Sequence, residues 1–201
     1  DYFDNLKDIG GLIKTLEELS FIVGKYPLIF TCRKFEEGGY RRVSQSQKVK
    51  LMEAAIKSRK IDIVDMELAN EEENIKRISL IARENRVKII LSHHDFKATP
   101  GKEEIIGKLV KAQELGADIG KIALMPKDKR DVLKLLEASL EAGEKHVHIP
   151  LITMAMGDKG QMTRIVGGFF GSAITFARGR ASSAPGQLDI GQIREIIGSL
   201  Y

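Results

Sequence analysis

The chain has 201 residues, enough for one substantial domain with a sizeable core and short for two independent ones. Its 43% hydrophobic and 30% charged content is ordinary for a globular protein, and the net charge of +4 is scattered in mixed runs such as 127–130, which does not suit a nucleic-acid surface. Cys32 has no second cysteine for a disulfide, and no apolar run approaches the roughly 18 residues of a membrane span, so a reducing cytoplasm is expected and a membrane is not.

Taken in order, the chain opens on a helix-like stretch, 6–19, without an initiator methionine. An apolar run at 27–33 reads as a strand ending on Arg33, and the turn after it, Lys34-Phe-Glu-Glu-Gly-Gly39, carries Glu36 and Glu37, with two glycines that permit a tight backbone path. Ser44 or Ser46 can cap a helix whose Val49, Met52 and Ile56 share one face. The next strand, 61–68, places Asp65 and Glu67 on one face, where buried carboxylates need partners; Lys121 is the candidate. A third strand, 87–94, ends on His94, with His93 turned to the opposite face. Thr99-Pro100, Glu103 and Gly116 punctuate the following helix. A fourth strand spans 119–125, and a helix over 128–142 presents Val132, Leu133, Leu136 and Leu140 and closes at Gly143. A fifth strand, 146–156, puts Met154 and Met156 on one face, and a weaker sixth run covers 169–177. Ser182-Ser-Ala-Pro-Gly-Gln187 is a small-residue loop, suited to a lid, before a last helix.

Strand starts spaced by 26 to 34 residues with helices between them describe repeated βα units in a single α/β domain over 1–201. The expected fold is a TIM-type (β/α)8 barrel. Six runs fall short of eight, and the chain begins on a helix, so the first two βα units are expected to be absent and the barrel to have a gap. The alternative is an open doubly wound sheet, although no Gly-rich dinucleotide turn follows the first strand.

Lys121 is the most informative residue, because Ile119-Gly-Lys-Ile-Ala-Leu124 otherwise suits a buried parallel strand. A dry site biases an amine toward its neutral form, which attacks carbonyls to give imines; the plain alternative is a lysine snorkelling from a strand end. His94 stands at a strand's carboxyl end, where barrel enzymes place catalytic groups, and an imidazole serves as base and then acid; a hydrogen-bonded structural histidine is the other reading. A glutamate of the 36–37 pair can orient an imidazole or simply sit exposed. Arg164 can hold a carboxylate through its fork or lie on the surface. Ser183 and Gln187 can bind substrate oxygens or serve the loop, and Met154 and Met156 are core residues first and pocket residues second.

In order and spacing, these residues resemble type I 3-dehydroquinate dehydratases along essentially the whole chain. The likeness rests on Thr31-Cys-Arg33 with Glu37-Gly-Gly39, Ser92-His-His-Asp-Phe96 with Thr99-Pro100, Asp118-Ile-Gly-Lys-Ile-Ala123, Thr163-Arg164, Phe170-Gly-Ser172 with Thr175-Phe176, and Ala184-Pro-Gly-Gln187. The resemblance implies a lyase of the shikimate pathway that dehydrates 3-dehydroquinate with no cofactor or metal. Lys121 forms the imine, His94 carries both proton transfers and Glu37 orients His94. Arg164 and Gln187 hold the carboxylate, Arg33 and Ser183 contact ring hydroxyls or nearby polar groups, and Met154, Met156, Phe176 and Ala184 line the pocket. A homodimer is also implied. Family members carry a Glu-x-Arg pair upstream of Asp1 that is not in this sequence. The rival readings are another Schiff-base aldolase on the same barrel, a silent barrel fragment, and a segment of a fused pathway enzyme.

Overall fold

The computed structural model describes Phe3 and residues 5–200. Five parallel strands, β1 (Ile29–Thr31), β2 (Ile63–Glu67), β3 (Lys88–Asp95), β4 (Ile119–Leu124) and β5 (Leu151–Ala155), form one sheet in chain order. Two compact units divide the chain, one of residues 1–92 with 114–119 and the other of 93–113 with 120–201.

In the first unit, α1 (Ile9–Val23) starts three residues later than the apolar pattern predicts, because the Asp8 carboxylate caps it by accepting from the Gly11 amide at 2.8 Å. Ser44 caps α2 (Gln45–Lys57). This helix lies between α1 and α3 (Glu72–Glu84), and it buries Val49, Met52, Ala55 and Ile56. Strand β2 is buried on both faces: Val64 and Met66 on one, Asp65 and Glu67 on the other. The turn after β1 winds through a single 3-10 turn, Phe35–Glu37, then a left-handed Gly38 (φ 89°). A side chain at Gly39 would run into the Arg33 carbonyl. Gly39→Ala should therefore destabilise the fold by about 1–3 kcal/mol, the usual cost of overpacking against groups that cannot yield. Gly107→Ala, in a helix with nothing near the added methyl, should instead stabilise it by about 0.5–1 kcal/mol. Urea unfolding of both variants checks the pair, and equal effects would refute the steric argument.

In the second unit, α4 (Lys102–Glu114) and α5 (Lys129–Glu141) pack their apolar faces against one face of β4 and β5. Ile105, Leu109, Val132, Leu135 and Leu136 meet Ile122, Leu124, Leu151 and Ala155 there, and Thr153 bonds Ser139 of α5 at 2.7 Å. Gly116 is left-handed (φ 84°) after α4, as the helix-stop pattern requires. The Asp128 side chain caps α5, but Gly143 does not close it: a π-helical turn, Ala142–His146, follows, and β5 begins only at Leu151.

Beyond β5 come the short helices α6 (Gly157–Gly160) and α7 (Thr163–Val166), and the chain ends on α8 (Ile190–Leu200). The sixth run, 169–177, is not a strand. Gly167–Phe170 forms a 3-10 turn, Gly171 is left-handed (φ 90°), and only a single bridge, Leu151 to Ser172, joins the segment to β5. Gly171, with Gly167 and Gly168 just before the segment, curls the backbone out of register, and its amides are satisfied one at a time, Ser172 on the Gly167 carbonyl and Ala173 on that of Leu151. Five strands are thus present among the described residues, not six.

Candidate active site

The first unit carries a buried ionic cluster at the ends of β1 to β3. Arg33 donates from Nη2 to Asp65 at 2.8 Å and from Nη1 to the Ser92 hydroxyl at 2.6 Å, and that hydroxyl donates to the other Asp65 oxygen at 2.6 Å. Glu67 accepts from the Lys34 amide at 2.7 Å and from Asn70 at 3.0 Å, forms an ion pair with Lys48, and lies 3.3 Å from Arg33. Burial pulls the Arg33 pKa down, but Asp65 and Glu67 outweigh it and raise the value. For Glu67 burial acts upward, yet the charges of Lys48 and Arg33 hold the carboxyl below its usual range. The cations at Asp65 and Glu67 are therefore Arg33 and Lys48, where the sequence nominated Lys121. Glu37 is buried in the turn beside this cluster and contributes to the field at Arg33.

The second unit holds the residues singled out for covalent and acid–base chemistry. His93 is half-buried against α4: burial pushes its pKa down, the Lys108 charge adds to this, and Asp95 and Glu104 oppose it. Strand alternation turns His94 to the face away from that helix. On β4, Ile122 and Leu124 belong to the helix-side core, so Lys121 and Ala123 occupy the other face. Lys121 is 8% exposed, and its Nζ lies 4.6 Å from the centre of the Phe176 ring. The register pairs Lys121 with Ile152 and Ala123 with Met154, which places Met154, and Met156 two residues on, along the same face; both methionines are buried. A hydrogen bond of 2.8 Å from the Met125 amide to the Asp95 carbonyl ties the carboxyl ends of β3 and β4 together. Both His94 and Lys121 thus stand on the face opposite α4 and α5, on adjacent strands.

Arg164 is fully buried on α7, and burial lowers its pKa. Its Nη1 donates to the Phe176 carbonyl and to the Met154 sulfur, and its Nη2 to the Pro185 carbonyl at 3.1 Å, while Nε is buried with no hydrogen-bond partner. Nε and the equally unpartnered Thr175 hydroxyl belong to residues lining a cavity of about 230 Å³. The Pro185 carbonyl also accepts from Gly157, which fastens the 182–187 loop to α6; Gly186 there is left-handed (φ 76°), and a side chain at it would run into the Gly157 backbone. Within the loop Gln187 folds back, accepting from the Ser183 amide at 2.8 Å and donating to the Ser183 hydroxyl at 3.1 Å, beside a half-buried Ala184. The expected lid is thus pinned at Pro185 and closed on itself at Gln187. Among the described residues no group of three His, Cys, Asp or Glu side chains is placed to hold a metal ion, and no helix is long and apolar enough to cross a membrane.

The family model for type I 3-dehydroquinase matches residues 1–201. The chain belongs to the type I 3-dehydroquinases. It is 42% identical to a 3-dehydroquinate dehydratase of Bacillus licheniformis, over all of this chain and 79% of that protein. The crystal structure of a 3-dehydroquinate dehydratase from Geobacillus kaustophilus is superimposable with a TM-score of 0.94 at 42% identity, covering 97% of this chain and 76% of that one. A type I enzyme from Clostridium difficile, described with covalent modified comenic acid, gives 0.95 at 38% identity, with coverages of 98% and 78%.

For a type I 3-dehydroquinase, the residue that sequence reasoning passed over is Lys48. It is 2% exposed, yet it sits on a helix and reads as a solvated position. A signal was available: Lys48, Met52 and Ile56 recur every four residues, so the lysine prolongs the apolar stripe toward the core.

Proposed function

We propose that this chain removes water from 3-dehydroquinate to give 3-dehydroshikimate, a step of the shikimate pathway, through an imine on Lys121. The observation that carries the reading is a buried strand lysine on the face opposite α4 and α5, with His94 on the same face of the neighbouring strand. The Lys121 amine adds to the C3 ketone and expels water. The resulting iminium withdraws electrons from C2, so His94 removes the C2 proton and an enamine forms. The enamine pushes out the C1 hydroxyl, which takes the proton back from His94 and leaves as water. Water then hydrolyses the imine, freeing Lys121 and the product, and the net change is loss of one water.

The family pattern supports Glu37 as the carboxylate that orients the imidazole, and Arg33 and Ser183 as contacts to ring hydroxyls or nearby polar groups. Arg164 and Gln187 are assigned to the substrate carboxylate; the buried Nε–H of Arg164, lacking an acceptor, favours this. Met154, Met156, Phe176 and Ala184 are assigned to the pocket wall. The same pattern favours a (β/α)8-type barrel, of which the five parallel strands are successive βα units, a homodimer, a cytoplasmic location and no nucleic-acid partner.

The test is direct. Supplied with 3-dehydroquinate, the intact natural polypeptide should generate the near-ultraviolet absorbance of a conjugated enone and a product lighter by one water. No enone, or cleavage of the substrate into two carbonyl fragments as an aldolase would give, overturns the assignment.

A further inference from the structure

Four charged side chains are packed together inside the first unit, and only Arg33 among them has a place in the proposed chemistry. Arg33 and Lys48 supply two positive charges, Asp65 and Glu67 two negative ones, and all four are buried. Such a cluster is costly unless its charges are matched, and removing one partner redistributes the rest. Arg33 is shared unevenly between two acceptors: Asp65 takes it at 2.8 Å, with Ser92 bracing both, whereas Glu67 lies farther off at 3.3 Å. Lys48 and Asn70 both address the Glu67 oxygen that Arg33 does not, and Gln45 in turn holds Asn70 at 2.8 Å. With Lys48 satisfying Glu67, the guanidinium makes its shorter bonds to the Asp65–Ser92 pair.

We infer that Lys48 is a positioning residue, which aims the Arg33 guanidinium by neutralising Glu67. This rests on the reading of Arg33 as a substrate contact. Without the lysine, Glu67 becomes the strongest unmatched charge in the cluster and draws Arg33 away from Asp65, so the fork points elsewhere. Because Arg33 is assigned to the ring's polar groups and not to the reacting carbons, the loss falls on binding that ground and transition states share, which raises KM and spares kcat.

The test is a double-mutant cycle in the intact natural polypeptide, with 3-dehydroquinate as substrate. Arg33→Ala and Lys48→Met should each raise KM about tenfold or more and change kcat less than threefold. Lys48→Met in the Arg33→Ala background should add less than a further threefold, since the group it aims is gone. Multiplicative effects, or a wild-type KM in Lys48→Met, would overturn the inference. A wild-type KM in Arg33→Ala instead removes the substrate contact itself, a failure of the underlying reading that the cycle separates from the first. If Lys48→Met does not fold, Lys48→Met with Glu67→Gln leaves no unmatched charge at Glu67; Arg33 should then stay on Asp65 and KM remain within threefold of wild type, and a tenfold rise in that charge-balanced variant overturns the inference.

Discussion

Borohydride added to the protein with 3-dehydroquinate is expected to fix the ligand's mass on the peptide that carries Lys121 and on no other. Among the described residues two lysines are buried, one on a helix and one in a strand, and the structure separates them. Lys48 is committed to Glu67, whose charge and hydrogen bond oppose the lowering of its pKa by burial, and its nitrogen is taken up by that pairing. Lys121 lies in a strand between Gly120 and Ile122, with the Phe176 ring over its nitrogen and small or flexible neighbours, Ala123 and Met154, beside it on the same face. A planar carbonyl carbon can approach it there. Surface lysines such as Lys127 and Lys129 have the freedom to react but no site around them. Lys121→Met should remove the trapped adduct and lower turnover on the order of 10⁶-fold, the scale on which loss of a covalent nucleophile acts. Mass on Lys48, Lys127 or Lys129, or turnover surviving in Lys121→Met, would refute the covalent assignment.

How far the sequence foretold this arrangement depends on which interaction dominates each segment. β2 to β4 were legible because largely buried parallel strands read as near-continuous apolar runs, and so was β1 although its residues are only half-buried; the starts of all four were right to within two residues. β5 was legible as a strand but not in its start: the run at 146–156 is largely apolar, yet the π-helical turn takes His146, and Pro150, which has no amide to donate, precedes the first paired residue. At 169–177 the aromatic residues suggested a strand, while Gly167, Gly168 and Gly171 set the backbone path. In the candidate site, Lys121, His94 and Arg164 stood out from strand position and chain neighbours alone. The partner of Glu67 did not, because it comes from a helix 19 residues away, and a helical lysine is normally solvated. The cap on α1 shows the same limit at short range: the apolar pattern runs on past the point where Asp8 supplies the acceptor that starts the helix.

His94→Ala should slow turnover beyond the roughly 10²–10⁴-fold typical of a single acid–base role, because one imidazole serves two proton transfers, at C2 and at the departing C1 hydroxyl. Imine formation on Lys121 needs neither transfer at carbon, so borohydride should still trap the substrate in this variant, and a trapped adduct with lost turnover is the expected signature. His93→Ala is the control that the structure itself supplies. Its ring is half-buried and feels the charges of Lys108 and Glu104 on α4, burial and Lys108 lower its proton affinity, and alternation along β3 keeps it off the face that carries Lys121. Its replacement removes a half-buried side chain, so the expected change is a lower unfolding midpoint with kcat within about threefold of wild type, an effect on stability and not on proton transfer. Rate constants for both variants, measured where each remains folded, decide the matter. If His93→Ala is as damaging to kcat as His94→Ala, the face opposite α4 and α5 is not the catalytic one, and the face assigned to Lys121 falls with it.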